Sequence, residues 1–167
     1  MSTRTLLLAT FVLAAAPALA QEPVVGVPNP ESLFTDKDPQ LHANKQVALH
    51  IMRELLQCNW WDQADRWLTE RYIQHNPNAA SGRASVVKFF ESMKRPRAAT
   101  CDKLTTPIVA VVAQGDLVIV VWPMTCQHGN DKPYTSTWFD MWRIRDGKAD
   151  EHWDPAMRIP TGCRPGA

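Results

Sequence analysis

The chain predicts an α+β domain, with helices first and an antiparallel meander of strands second. Two observations carry this. Apolar residues recur at helical spacing from about residue 39 to residue 93, and from residue 105 onward the period becomes two. Helices followed by consecutive strands, rather than alternating with them, indicate α+β architecture and not a βαβ sheet.

Residues 1–20 read as an export signal. Arg4 gives the positive start, Leu6 to Ala16 a short apolar run, and Ala18-Leu19-Ala20 a small-x-small cleavage site before Gln21. The run is too short to span a bilayer and no later segment offers about twenty apolar residues, so no membrane insertion is expected. A cleaved chain would be secreted or periplasmic. Residues 21–38 hold several prolines and little periodicity, which suits an extended leader. Asp38-Pro39 is a helix start, with Asp as cap and Pro at the first helical position. Leu41, Ala48, Ile51, Met52, Leu55 and Leu56 then carry a helix to about Gln57. A second helix is expected over 61–72, with Trp61, Ala64, Leu68 and Tyr72 on one face. It ends in Ile73-Gln74-His75-Asn76-Pro77, because the residue before proline disfavours helical geometry. Ser81-Gly82 opens a third helix over 83–93, with Val86, Val87, Phe89 and Phe90 inward, and Arg95-Pro96 stops it.

Four strands follow, over 105–113, 117–127, 134–145 and 148–154. Asp146-Gly147 between the last two is the strongest hairpin signal in the chain. The strand at 134–145 is apolar on both faces, whereas a sheet covered on one side alternates. One face is expected to cover a helix-lined cavity and the other to pack on a second subunit, giving a homodimer. One domain over 39–160 and a tail over 161–167 account for the rest.

Lys and Arg total 18 and Asp and Glu 17, interspersed, for a net charge of +1. No basic stripe marks a nucleic-acid partner and no polybasic tract marks a membrane surface. The four cysteines, in an oxidising compartment, suggest two disulfides with three possible connectivities. If the chain folds back about Gln114-Gly115, Cys101 and Cys126 fall opposite each other. Cys58 would then bond Cys163 and pin the tail to a helix end. No Cys-x-x-Cys supports a redox or zinc role.

Three stretches together resemble the SnoaL-like polyketide cyclases of the nuclear-transport-factor-2-like superfamily. They are Tyr72-Ile73-Gln74-His75-Asn76-Pro77, the helix from Gly82 to Phe89-Phe90, and the hairpin from Asp140 to Asp154. The similarity spans about residues 40–157. It implies a cone-shaped barrel, a curved antiparallel sheet wrapped around three N-terminal helices, with a pocket at the wide end. The family includes aldol-condensing cyclases, isomerases, dehydratases, epoxide hydrolases and non-catalytic binding proteins. The expected function is acid/base lyase or isomerase chemistry, of aldol or enolisation type, on a small apolar carbonyl compound. The alternatives are a non-catalytic small-molecule-binding protein of the cell envelope, or a structural protein whose pocket its own tryptophans fill. No cofactor is expected.

Asp140 is the leading proton carrier. It sits in mid-strand with Trp138 and Trp142 two residues to either side, so the three side chains share a face. Enclosure by indoles disfavours the carboxylate ion, which suits proton transfer. The plainer reading is a structural aspartate paired with Arg71 or Arg143. His75, at the Pro-terminated turn, is placed at the cavity mouth to orient Asp140 or bond a substrate carbonyl. His152 and Asp154 share a face of the last strand and can act as an orienter-and-base unit, or form a solvated edge. A metal held by these four residues is the less favoured use of the same groups, and none is expected. Trp138, Trp142, Tyr72 and Trp122 are expected to wall the pocket for a flat apolar or aromatic molecule.

Overall fold

Asp38 starts the first helix as its spacing predicts. Its carboxylate accepts the backbone N–H of Gln40 at 2.8 Å and of Leu41 at 3.0 Å, and Pro39 sits where no N–H is needed. This helix, α1, spans Pro39–His50 and continues as a π-helical segment over Ile51–Gln57. Val47, Ala48, Ile51, Met52 and Leu55 from the pair enter the core. The computed structural model describes residues 21–158 and the backbone of 163–165; residues 1–20, which read as an export signal, lie outside the described residues.

The expected helix over 61–72 is not formed. A 3-10 helix covers Trp61–Arg66, and the chain then becomes strand β1, Leu68–Gln74. Leu68 and Tyr72 are four apart, a spacing that shares a face on a helix and on a strand alike. Pairing decides between the two. The end of β1 lies parallel to a later strand, Ile73 opposite Glu151 and Gln74 opposite His152, and this outweighs local periodicity. Helix α2, Arg83–Ser92, matches expectation, with Val86 buried and Phe90 stacked on Trp61 at 3.9 Å.

Strand β2 is Ala110–Gln114, shorter than expected. The N–H groups of Thr105 and Thr106 donate instead to the Gln57 side-chain oxygen, and Pro107 has no N–H to offer a ladder. Strands β3, Leu117–Cys126, β4, Tyr134–Arg145, and β5, Lys148–Trp153, form close to where the sequence predicts, and β6 is Cys163–Pro165. Asp146 and Gly147 both have positive φ, 50° and 73°, as the two-residue turn between β4 and β5 requires. The strand order is β1-β5-β4-β3-β2, with β6 beside β3. All pairs are antiparallel except β1 with β5.

The predicted disulfide pairing is overturned. Cys58 bonds Cys101, not Cys163. Residue 101 precedes β2 by too far to reach Cys126; its segment packs on the end of the π-helical turn, where Ala98 N–H donates to Cys58 O at 2.9 Å. Cys126 is itself disulfide-bonded, and the backbone of Cys163 lies opposite it in register.

The leader expected to be extended is docked on the fold, and within it Pro30–Phe34 forms a 3-10 helix. Val27 N–H donates to Ile108 O and Val24 N–H to Thr135 Oγ1, each at 2.8 Å. Gly26 crosses so closely that a Cβ there would lie 2.7 Å from the Pro107 Cβ. Phe34 then plugs the core with no exposed surface.

Candidate active site

The inner face of the sheet and the helical layer enclose a cavity of about 1120 Å³. Met52, Leu56, Trp61, Phe89 and Phe90 form its helical side, and Trp122, Met124, Trp138 and Trp142 its sheet side. The tryptophans wall the space without filling it. Aromatic rings and pliable thioethers around such a volume suit an apolar ligand. Polar groups gather on one wall, where Gln74 and Asn76 from the end of β1 meet Asp140 from β4 and His152 and Asp154 at the end of β5.

Asp140 is 5 % exposed. Neither arginine proposed as its structural partner reaches it. Arg71 binds Asp150, and Arg143 binds Asp116 and Glu151. The indoles are not the apolar wall that the sequence suggested. Trp122 Nε1–H donates to Oδ2 at 2.6 Å and Trp138 Nε1–H to Oδ1 at 3.2 Å. Trp142 turns its N–H to the Tyr72 hydroxyl at 3.0 Å. An indole N–H can only donate, so both carboxylate oxygens serve as acceptors.

His152 Nε2 lies 3.0 Å from Asp140 Oδ1. Its Nδ1 lies 2.8 Å from Gln74 Oε1, which also accepts the Asn76 backbone N–H at 3.0 Å. The Asn76 bond fixes which end of the amide is oxygen, so Nδ1 carries a hydrogen and donates it. Nε2 alone is left to share a proton with Asp140. The Trp142 and Tyr72 rings lie against the imidazole, with centroids at 5.4 and 6.3 Å. Asp154 Oδ2 stands 3.9 Å from Nδ1 and is tethered by Asn76 Nδ2 at 2.8 Å. Asp140, His152 and Asp154 also offer ligand-type atoms within 4.8 Å of one another. Nδ1 is held by Gln74 and Nε2 faces Asp140, so of the two carboxylates only Asp140 is within hydrogen-bond distance of the ring.

His75 is not in this wall. Its Nε2 lies 2.8 Å from Glu151 Oε1 and its ring stacks on Trp153 at 5.0 Å, with the side chain 44 % exposed on the outer face. The cause is the period of two along β1. Tyr72, Gln74 and Asn76 face inward, which turns His75 out. Gln74 and Asn76 therefore hold the places expected of His75, and reading this stretch as a strand is the signal that would have found them.

A model of the SnoaL-like domain matches residues 52–152, more than half of the chain. The chain belongs to the SnoaL-like family. A candidate SnoaL-like polyketide cyclase of Jannaschia sp. CCS1 superposes with a TM-score of 0.51 at 20% identity, over 72% of this chain and 91% of that one. A candidate polyketide cyclase of Acidithiobacillus ferrooxidans gives 0.50 at 18% identity, over 67% and 86%. Among curated proteins there is no significant match. These likenesses agree on the nuclear-transport-factor-2-like cone, with the curved sheet around the helices. In this SnoaL-like chain the matched residues include Tyr72, Gln74, Asn76, Asp140 and His152, while Asp154 lies just beyond them.

Proposed function

We propose that this SnoaL-like protein is an acid/base catalyst of lyase or isomerase type that enolises a small apolar carbonyl compound. The single observation that carries this is Asp140, buried on the cavity wall, paired with no arginine or lysine among the described residues, and 3.0 Å from Nε2 of His152. Asp140 removes a proton alpha to the carbonyl, and His152, held by Gln74, orients and supports the carboxylate. Two-residue pairing of this kind, with the orienter fixed by a third group, is the arrangement that makes a side chain an effective base.

The test is exchange at the alpha carbon in deuterated water, using apolar ketones beginning with 2-acetylnaphthalene. Asp140→Asn is expected to slow exchange roughly 10²–10⁴-fold while leaving ketone binding in place. Full exchange in that variant removes Asp140 from the chemistry. Binding without exchange by the unaltered protein would instead assign the alternative, a small-molecule-binding protein of the envelope.

We also propose export and pairing of two copies. Export is supported by the Arg4, Leu6–Ala16 and Ala18-Leu19-Ala20 pattern and by the absence of free cysteines among the described residues. The mass of the mature protein, beginning at Gln21 or not, tests it. Pairing is supported by an apolar outer row in which Val112, Ile119, Met141 and Trp153 lie side by side across four strands, with Phe139 beside them 47 % exposed. Sedimentation equilibrium reads the stoichiometry.

A further inference from the structure

Tyr72 lines the cavity with 4 % of its surface exposed. Its hydroxyl oxygen accepts the Trp142 indole N–H at 3.0 Å, and the O–H hydrogen has no acceptor among the described residues. A buried donor without an acceptor is costly, so its place at the cavity wall points to a bond made with what the cavity holds. A ligand oxygen in the cavity can supply that acceptor. Nearby, the imidazole of His152 lies against the same ring, 6.3 Å between centroids, and His152 leads directly to Asp140.

We infer that Tyr72 is a second catalytic residue, whose O–H donates to the substrate carbonyl oxygen and stabilises the enolate formed there. This deepens the enolisation reading and rests on it for its chemistry. In that step the alpha C–H bond breaks and an O–H bond forms on Asp140. The C–H electron pair becomes the new C=C bond, and the carbonyl π pair moves to oxygen. The negative charge then sits on the atom that Tyr72 faces, so its hydrogen bond is stronger in the transition state than in the ground state. Return of the Asp140 proton to carbon, or attack of the enolate on a second carbonyl whose new alkoxide takes that proton, completes the turnover with no redox partner.

Tyr72 keeps its proton throughout. Burial pushes its phenol well above the ordinary range; the Trp142 N–H opposes that rise, and the charges of Asp140 and Asp154 add to it. The same Trp142 bond polarises the O–H and makes it a better donor. Tyr72 thus acts by a hydrogen bond and not by proton transfer.

The test compares 2-acetylnaphthalene with 2-isopropenylnaphthalene, an isostere that carries CH₂ in place of the carbonyl oxygen. The full mature chain is expected to bind the ketone roughly five- to tenfold more tightly than the isostere. The carbonyl stretch of the bound ketone should fall in frequency. Tyr72→Phe should abolish the preference and the frequency shift while the isostere still binds. An unchanged preference and stretch in Tyr72→Phe overturns the inference, as does a wild-type protein that binds the ketone no better than the isostere. If loss of the Trp142 acceptor unfolds Tyr72→Phe, fluorotyrosine can be incorporated in a Tyr134→Phe background, where Tyr72 is the sole tyrosine. The more acidic phenol should lower the stretch further, and an unmoved stretch overturns the inference. None of these readouts needs turnover. Failure of alpha exchange would sink the enolisation reading and leave the Tyr72 bond standing, and the reverse outcome would do the opposite.

Discussion

One oxygen of Gln74 accepts two hydrogen bonds, from Asn76 N–H at 3.0 Å and from His152 Nδ1 at 2.8 Å. The first makes the second informative, because it fixes the amide and so fixes the imidazole hydrogen on Nδ1. Gln74→Leu removes that acceptor, and the neutral ring is then free to carry its hydrogen on Nε2, the atom that faces Asp140. Ring ¹⁵N spectra of the wild type should show Nδ1 protonated, with Nε2 the nitrogen that changes. In Gln74→Leu the two nitrogens should exchange roles or average, and alpha exchange should slow about ten- to a hundredfold. An unaltered tautomer would leave Gln74 as a packing residue only. Asp140 was legible from sequence because strand alternation placed it between Trp138 and Trp142. Gln74 was not, since its importance depends on which way a histidine 78 residues distant turns its ring.

Strand β5 contains an extra residue. Ile144 pairs with Ala149 and Arg143 with Glu151, which leaves Asp150 unopposed on β4. The bulge resets the alternation, so that Ala149 and His152 both face inward although they are three apart. Arg71 stabilises it with a two-pronged contact, Nε at 2.8 Å from Oδ1 and Nη2 on Oδ2, and Thr69 Oγ1–H donates at 2.9 Å. The Arg71 hydrogen bond chiefly, opposed by burial and aided by Thr69, holds the Asp150 carboxyl at about 2, below its ordinary 3.8. A depressed folded-state value stabilises the fold above the unfolded value, and that contribution disappears as pH falls from about 4 to about 2. Asp150→Asn is therefore expected to lose about 1–3 kcal/mol at pH 7. The gap to wild type should close towards pH 2, as read by urea unfolding across pH. A gap independent of pH would show that packing, not charge, holds the bulge. The β4–β5 hairpin itself was plain from its alternation and Asp-Gly turn. Strand β1 was hidden, because Leu68 and Tyr72 fit two periods and the deciding partner is a parallel strand about eighty residues on.

At the scale of the whole molecule, the order of helices then meander, the cavity and its tryptophan wall all follow from local patterns. Cysteine pairing does not, since a count of four fixes only the number of possibilities. The pair that forms, Cys58–Cys101, ties the end of the π-helical segment to the chain between α2 and β2. That connection supplies Arg95 and Thr106 to the cavity rim and has no ladder of its own before Ala110. Gln57 Oε1, accepting from Thr105 and Thr106, and the Ala98 bond to Cys58 are among the backbone anchors beside the disulfide, with Leu104 N–H donating to Glu31 and Asn59 Nδ2 donating to Arg95 O. Closing a loop of 43 residues restricts the unfolded chain by about 4 kcal/mol on the chain-entropy estimate. The double variant Cys58→Ala/Cys101→Ala is expected to lose about 2–4 kcal/mol in denaturant unfolding. It should also weaken 2-acetylnaphthalene binding severalfold, because the rim then keeps its shape through hydrogen bonds and packing without the covalent tie. Wild-type affinity in a destabilised variant would confine the disulfide to stability and leave the shape of the rim to those hydrogen bonds.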